Sequence, residues 1–177
     1  MDDAGAAAAA TEHLIALGHR RIAFITGSDE YALSAARLKG YRAAVRAAGL
    51  AADDALVGRG DFTFASGARA ARQLLALAEP PTAILASSDQ MSLAALQVAR
   101  SQALDVPRDL SIVSFDDTPI VKFSTPPLTA IRQPVAEMTA RAADLLIRAA
   151  NGEAVADAPA VLPFDLNVRG STTAPPR

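Results

Sequence analysis

The chain has 177 residues, of which 51% are hydrophobic and 20% are charged, a balance typical of a folded protein with a sizeable core. Its formal net charge of -2 and its pI of about 5.6 differ from the basic surface that a self-sufficient nucleic-acid binder usually carries. There is no cysteine, which excludes disulfides and thiolate metal sites. The sequence shows neither a secretory leader nor an apolar run long enough to cross a membrane, so we expect a cytoplasmic protein.

Amphipathic helices alternate with short apolar strands along most of the chain. The spacing of apolar residues predicts helices over residues 4–17, 34–48, 65–78 and 89–101. Apolar runs between them predict strands over residues 21–27, 55–58, 82–86 and 110–115. Such alternation is typical of βαβ units. The sequence therefore predicts an α/β fold with a parallel sheet and helices on both of its faces.

The alternation changes after Asp116. A proline-rich break over residues 125–128 precedes a short extended piece over residues 129–132. A helix is predicted over residues 134–150, and a final strand over residues 160–168. Because the apolar face of that helix would be poorly satisfied in an isolated monomer, we expect the helix to pack on another chain, to fold onto the rest of this chain, or to be mobile.

Ligands of open parallel sheets bind beyond the carboxyl ends of the strands, and several polar or aromatic residues fall there in this chain. They are Asp61 and Phe62 after the second strand, Ser87, Ser88 and Asp89 after the third, Asp116 and Asp117 after the fourth, and Arg37 on the helix after the first. Carboxylates and a guanidinium bind vicinal hydroxyls, and an aromatic face stacks on a sugar ring. This predicts a site for a small, hydroxyl-rich or heterocyclic ligand, with Arg37, Phe62, Asp89 and Asp116 as its binding residues.

Each of these residues also has a purely structural interpretation. Asp89 is well placed to cap its helix, and Asp116 is a common type of turn residue. Phe62 alone is more often part of a core, and Arg37 alone is more often a solvated helix residue. These alternatives stay open at the level of the sequence.

Enzymatic and metal chemistry have little support in the sequence. The two histidines, His13 and His19, lack the cysteine, third histidine or carboxylate pattern of a metal site. Phosphate-binding and nucleophile-elbow motifs are missing as well. We therefore expect no catalytic residues, no metal and no cofactor.

Seven strings along the chain carry a family resemblance when they are taken together. They are residues 17–24 (LGHRRIAF), 37–41 (RLKGY), 60–62 (GDF), 88–91 (SDQM), 106–117 (VPRDLSIVSFDD), 126–131 (PPLTAI) and 169–172 (RGST). In this order they resemble the effector-binding region of LacI/GalR-family transcription regulators. One departure is Leu93-Ala94, where the family usually has a small residue followed by glycine.

The resemblance implies a fold like type I periplasmic sugar-binding proteins, in which two lobes close on a small effector and so alter operator binding. It implies that residues 1–126 and 153–173 form the C-terminal lobe and that residues 127–152 are a crossover segment and helix of the N-terminal lobe. The helix-turn-helix head is expected to be absent from this chain. Operator DNA would be bound only through that head, and the regulator is expected to be a homodimer.

The family positions that commonly contact effector match Arg37, Phe62 and Asp116, and Asp89 matches the start of the helix that lines the cleft. We also expect Arg37 and Asp116 to pair with each other when no effector is bound. The main alternative function is a periplasmic-type sugar-binding protein, and an enzyme is a more distant third. The sequence leaves open which effector is bound and whether it induces or represses.

Overall fold

A computed structural model describes residues 1–153 and 161–176, and in it six strands form a single sheet. The strands are β1 (Ile22–Ile25), β2 (Val57–Gly58), β3 (Ala83–Ala86), β4 (Ser111–Asp116), β5 (Thr129–Arg132) and β6 (Asp165–Asn167). The helices are α1 (Asp3–Ala16), α2 (Ala32–Ala47), α3 (Phe64–Leu75), α4 (Asp89–Ser101), α5 (Pro119–Lys122) and α6 (Val135–Ala150), with a 3-10 turn at Asp54–Leu56.

The strand order across the sheet is β2-β1-β3-β4-β5-β6. Neighbouring strands from β2 to β5 run parallel, and β6 pairs antiparallel with β5 at the edge. The α/β fold with a parallel sheet that the sequence predicts is therefore confirmed. The predicted second and last strands are shortened to two and three residues, and residue 160, at the start of the predicted last strand, lies outside the described residues.

The two faces of the sheet build two separate cores. Because side chains alternate along a strand, Ile22 and Phe24 of β1 point to one face, whereas Ala23 and Ile25 point to the other. The first face is covered by the alanine-rich helix α1 and by α2, and the second by α3 and α4. Helices therefore cover both faces of the central strands β1 and β3, which are buried throughout.

Strand β5 lies inside this sheet, although its residues belong to the segment that the sequence assigns to a crossover. It pairs with β4 through Val113 and Thr129, and its core residues Ala130 and Ile131 are fully buried. The apolar content of this short stretch reflects a buried parallel strand. The part of the segment that leaves the sheet begins only after Arg132.

Helix α6 differs from the other long helices because none of its residues is buried. The exposed apolar side chains on it include Val135, Met138, Leu145, Leu146 and Ile147. Each Leu-sized side chain that stays in water forgoes roughly 1.5–3 kcal/mol of burial free energy. Helix α6 therefore has an apolar surface that the described part of this chain does not cover.

Candidate functional site

The carboxyl ends of β1 to β5 lie along one side of the sheet, which we call the carboxyl edge. The register places Ile25, the last residue of β1, beside both Gly58 of β2 and Ala86 of β3. The loops that leave these three strands therefore start side by side. Such an edge is the usual place for a ligand in an open parallel sheet.

All four sequence-predicted residues belong to the carboxyl edge. Phe62 lies in the loop after β2, Asp89 begins α4 after β3, and Asp116 ends β4. Arg37 comes from α2 and reaches the edge because its Nη1 donates to the backbone carbonyl of Ser87, at 2.7 Å. Four separate βα units thus supply side chains to one region.

Arg37 is buried, with only 3% of its side chain exposed. Its Nε donates to Oδ1 of Asp3 over 2.7 Å, and the guanidinium carbon lies 3.7 Å from the centroid of the Phe115 ring, a cation–π arrangement. The expected ion pair between Arg37 and Asp116 is wrong, because Asp3 at the start of α1 already holds the guanidinium. No local pattern in the sequence indicates this partner, which lies 34 positions away.

Phe62 packs its ring directly over the backbone at the end of β1. A Cβ atom at Gly27 would lie only 1.9 Å from Cζ of Phe62, so a larger residue there would displace the ring from this position. The ring also meets Tyr31 edge-on, with 5.8 Å between centroids. Phe62 is half-buried and has a φ of 70°, a conformation that a bulky side chain adopts only under constraint.

Asp116 is a partly buried carboxylate with an unusual backbone and a raised pKa. Its φ is 107°, and its Oδ1 accepts a hydrogen bond from Nε2 of Gln133, at 2.5 Å. Burial raises the pKa of Asp116 to about 6, although the Gln133 hydrogen bond and the charge of Arg37 oppose that shift. The negative charge of Asp89 adds to the increase. Perturbed carboxylates of this kind are concentrated at functional sites.

Asp89 is buried and its carboxylate is occupied by protein groups. Its Oδ1 accepts from the Ser114 hydroxyl at 2.5 Å, and its Oδ2 accepts from the backbone amide and hydroxyl of Thr118 at 2.7 and 2.6 Å. The neighbouring Ser88 is the N-cap of α4, since its side chain accepts from the amide of Met91. Asp89 therefore ties the end of β4 and the start of α5 to α4.

Asp117 is held by the C-terminal part of the chain. It forms an ion pair with Arg169, at 2.7 Å, in which the Asp117 side chain is fully buried. Its Oδ2 accepts from Nδ2 of Asn167 at 2.7 Å, and Arg169 also donates to the carbonyl of Leu128. Asp117 follows Asp116 directly, and it too has a positive φ, of 59°.

Backbone strain is concentrated at the carboxyl edge. Within residues 1–153 and 161–176, four non-glycine residues have positive φ, and three of them are Phe62, Asp116 and Asp117. Conformations of this kind cost of order 1–3 kcal/mol each and persist where the surrounding structure imposes them. Their clustering at the ends of β2 and β4 supports a functional interpretation of this edge.

Three buried hydroxyls near the same edge have no hydrogen-bond partner among the described residues: those of Thr26, Ser34 and Ser87. Thr26 and Ser87 directly follow the paired ends of β1 and β3. Ser34 lies one helical turn before Arg37 on α2. Because a buried polar group without a partner is costly, these hydroxyls are candidates for contact with a polar ligand at this edge.

Gln133 is a site residue that the sequence argument missed. It follows β5 and contacts Asp116, and it also lines a shallow hollow of about 260 Å³ together with Arg132, Pro134 and Asp165. The prediction that residues 127–152 belong to a crossover hid the strand that brings Gln133 to the edge. An assignment of residues 129–132 as a fifth parallel strand would have found it.

The described residues show neither a cluster of potential metal ligands nor a helix that could span a membrane. Residues 1–153 and 161–176 hold no group of three or more potential metal-ligating side chains. In the same ranges, every helix is too short or too polar to cross a bilayer.

The buried His19 forms hydrogen bonds with Ser111 and the carbonyl of Thr173 through Nε2, and with Thr82 through Nδ1. His19 therefore connects the C-terminal tail to the sheet.

Comparison with known protein families gives a match to the periplasmic binding protein-like domain over residues 11–172. Among characterised proteins, the chain is 43% identical over 176 residues to the HTH-type transcriptional repressor CytR of Escherichia coli K12. It is 42% identical over 171 residues to the HTH-type transcriptional regulator CelR of Thermobifida fusca. These alignments cover 99% and 97% of this chain but only 52% and 50% of the relatives, so the chain spans about half their length.

The chain is also similar to solved structures of transcriptional regulators. The complex of the transcriptional regulator CelR with cellobiose superposes with a TM-score of 0.93 and 42% identity, covering 97% of this chain and 52% of that one. A LacI-family regulator from Mycobacterium smegmatis gives a TM-score of 0.91 and 35% identity, covering 99% of this chain and 65% of that one. The relatives are named as transcriptional regulators and not as enzymes.

Proposed function

Since the chain belongs to the periplasmic binding protein-like family of LacI-type transcriptional regulators, we propose that it is the effector-sensing part of such a regulator. The observation that carries the proposal is the carboxyl edge, where strain, a raised carboxylate pKa and partnerless hydroxyls coincide. Because a regulator of this type acts on chromosomal DNA, the cytoplasm is the compartment that goes with this proposal.

The proposed effector is a sugar or a similar hydroxyl-rich molecule. Asp116 has the capacity to accept hydrogen bonds from two adjacent hydroxyls, and Gln133 beside it supplies an amide. The half-exposed ring of Phe62 offers a face for the apolar side of a pyranose or furanose. The relative CelR is described in complex with cellobiose, which supports a carbohydrate effector for this chain.

Arg37 and Asp89 lie beneath the surface formed by Asp116, Gln133 and Phe62, and their main role is to support it. Both are buried and both are bound to other parts of the edge, Arg37 to Ser87 and Asp89 to Thr118. Arg37 retains guanidinium hydrogens beyond its two described bonds, and these are its route to effector. Asp89 shapes the site by fixing the turn after Asp116.

We propose that α6 and the crossover before it belong to a second lobe, which closes over the carboxyl edge when effector is present. The support is the unburied apolar face of α6 and the greater length of the relatives. The lobe assignment is then residues 1–126 and 153–173 for this lobe, except that β5 remains in its sheet. Lobe closure would pass effector occupancy to a DNA-binding head.

A homodimer is part of the same proposal. Ile120 in α5 and Phe123 directly after it are 59% and 86% exposed, and apolar side chains this open are typical of interface positions. Replacing Phe123 by Asp should shift sedimentation from dimer to monomer. Val161 is similarly exposed at 70% but lies elsewhere in the chain, so Val161→Asp is the control that should leave the dimer intact.

Calorimetric titration with cellobiose, ribose and glucose tests effector binding. We expect Asp116→Ala to weaken the tightest of these by about one to two decades, because a charge-assisted hydrogen bond is worth roughly 1.5–3 kcal/mol. Asp29→Ala is the control, since Asp29 is 79% exposed and pairs with Arg59 on the surface. Equal affinity of the Asp116 variant and the control would refute the assignment.

We expect this chain alone not to bind operator DNA specifically. Specific, salt-sensitive retention of an operator duplex by this chain in a mobility-shift assay would contradict the need for a separate DNA-binding head.

A further inference from the structure

The positive charge of Arg37 is already compensated inside the protein. Its partner, Asp3, stands in the first turn of α1, where the helix dipole favours a carboxylate. The 2.7 Å contact between Nε and Oδ1 is largely shielded from water, because the two side chains are 3% and 22% exposed. An anionic group of an effector would have to compete with this internal carboxylate.

Part of the guanidinium is already engaged by the protein. Phosphates and carboxylates bind arginine best through two parallel N–H bonds, either from Nε and one Nη or from both Nη atoms. Here Nε donates to Asp3, and one hydrogen of Nη1 donates to the carbonyl of Ser87. The fork that includes Nε is therefore closed to an anion, whereas single hydrogen bonds to a neutral hydroxyl remain available.

The rest of the carboxyl edge has acidic character. Asp89 and Asp116 lie near each other, and the loop after β2 adds Asp61, whose pKa is lowered to about 2 by hydrogen bonds from Thr63 and Ser66 and which is therefore ionised at neutral pH. Together these carboxylates disfavour an anionic ligand and tolerate a neutral or basic one.

We propose that Asp3 makes the effector site selective for uncharged, unphosphorylated molecules, because its carboxylate occupies the position beside Arg37 that an anionic effector would need. This inference rests on the proposed function for the location of the site and adds the charge class of the effector. Asp3 acts here as a specificity-determining residue, whereas Asp116, Gln133 and Phe62 form the direct contacts.

Asp3→Asn tests this proposal because it keeps an oxygen beside Nε of Arg37 and removes only the charge. Asp2→Asn is the matched control: it makes the same change in net charge one residue away, where the carboxylate bonds the amide of Gly5 instead. The probes are inorganic phosphate, and ribose compared with ribose 5-phosphate. The readouts are the unfolding temperature and the calorimetric dissociation constant.

We expect the wild-type chain and Asp2→Asn to show no phosphate-dependent rise in unfolding temperature in a buffer of constant ionic strength. Asp3→Asn should be stabilised by phosphate and should bind it at least tenfold more tightly than the wild type, since a bound anion stabilises the state that it binds. The wild type should also prefer ribose to ribose 5-phosphate, and this comparison stands even where the variant folds poorly.

Phosphate binding by the wild type that matches Asp3→Asn would overturn the proposal, and so would an equal gain in Asp2→Asn or no gain in Asp3→Asn. A wild type that binds ribose 5-phosphate as well as ribose would overturn it too. Failure of every neutral sugar to bind any variant counts against the proposed function, whereas the phosphate comparison still decides the role of Asp3.

Discussion

Replacing Asp116 by Asn should stabilise the protein and weaken its binding of effector at the same time. Burial raises the pKa of Asp116 from 3.8 to about 6, and each pKa unit corresponds to about 1.4 kcal/mol between the two protonation states. The ionised carboxylate therefore costs up to about 3 kcal/mol of folding free energy at neutral pH. Because Asp116 is partly exposed, solvent screening reduces the expected gain to about 1–2 kcal/mol.

The pH dependence of this gain distinguishes a charge effect from a packing effect. A carboxyl group whose pKa is raised on folding contributes most below its unfolded value, and this contribution is lost as the pH rises to about 6. Urea unfolding at pH 7.5 should thus show Asp116→Asn as the more stable protein, and the difference should shrink to about a third at pH 4.5. Asn still accepts from Gln133 and tolerates the positive φ.

A control with the opposite sign is available at the same edge. Hydrogen bonds from Thr63 and Ser66 lower the pKa of Asp61 to about 2, so its contribution is present above the unfolded value and is lost at more acid pH. Asp61→Asn should therefore destabilise the protein at pH 7.5. If Asp116→Asn is no more stable than wild type at pH 7.5, or if its gain is the same at pH 4.5, the burial argument for Asp116 is wrong.

Three further changes test the surroundings of the site by urea or thermal unfolding. Arg169→Met should cost about 2–4 kcal/mol because it leaves the buried Asp117 without its ion pair, and a loss as small as that of a surface substitution would contradict this. Gly67→Ala should cost about 1–3 kcal/mol, since the new Cβ would lie 2.6 Å from the Met91 Cα; unchanged stability would mean that α3 and α4 separate freely. Burial lowers the pKa of His19, so His19 contributes a loss of stability as the pH drops below about 6.5, opposite in sign to the contribution of Asp116. His19→Gln should remove this loss and so become more stable relative to wild type in unfolding temperatures measured from pH 7.5 to 5.5.

The fold could be predicted because its core depends on local patterns. Short apolar strands such as β1 and β3 are buried on both faces, so each strand is an uninterrupted apolar run, and the helices between them are amphipathic. Strand β5 was harder because only four residues form it and a proline-rich segment precedes it. Its pairing with β4 is a long-range property that no local window contains.

The candidate site could be predicted only in outline. Strand ends identify residues such as Phe62 and Asp116, because parallel strands finish at one edge. The partner of each side chain depends on helix packing: α1 lies against α2 and delivers Asp3 to Arg37. Likewise the anchor of Asp117 comes from Arg169, which is 52 positions later in the chain. Pairings across such distances follow from the fold and not from residue spacing.

The contrast between the core and the carboxyl edge indicates how effector binding would act on the rest of a regulator. The apolar core is buried, whereas the edge combines positive φ at Phe62 and Asp116, a carboxylate whose pKa is raised by burial, and buried hydroxyls that have no partner among the described residues. A hydroxyl-rich ligand that donates to Asp116 and forms hydrogen bonds with those hydroxyls would remove part of the free-energy cost of burying them. Some of its binding free energy would then come from satisfying groups that are destabilising in the free protein. The edge includes Gln133, which stands two residues before the uncovered helix α6. This hydrogen bond links Asp116 to the segment that leaves this sheet, and it is one contact through which an occupied site would alter the position of the proposed second lobe.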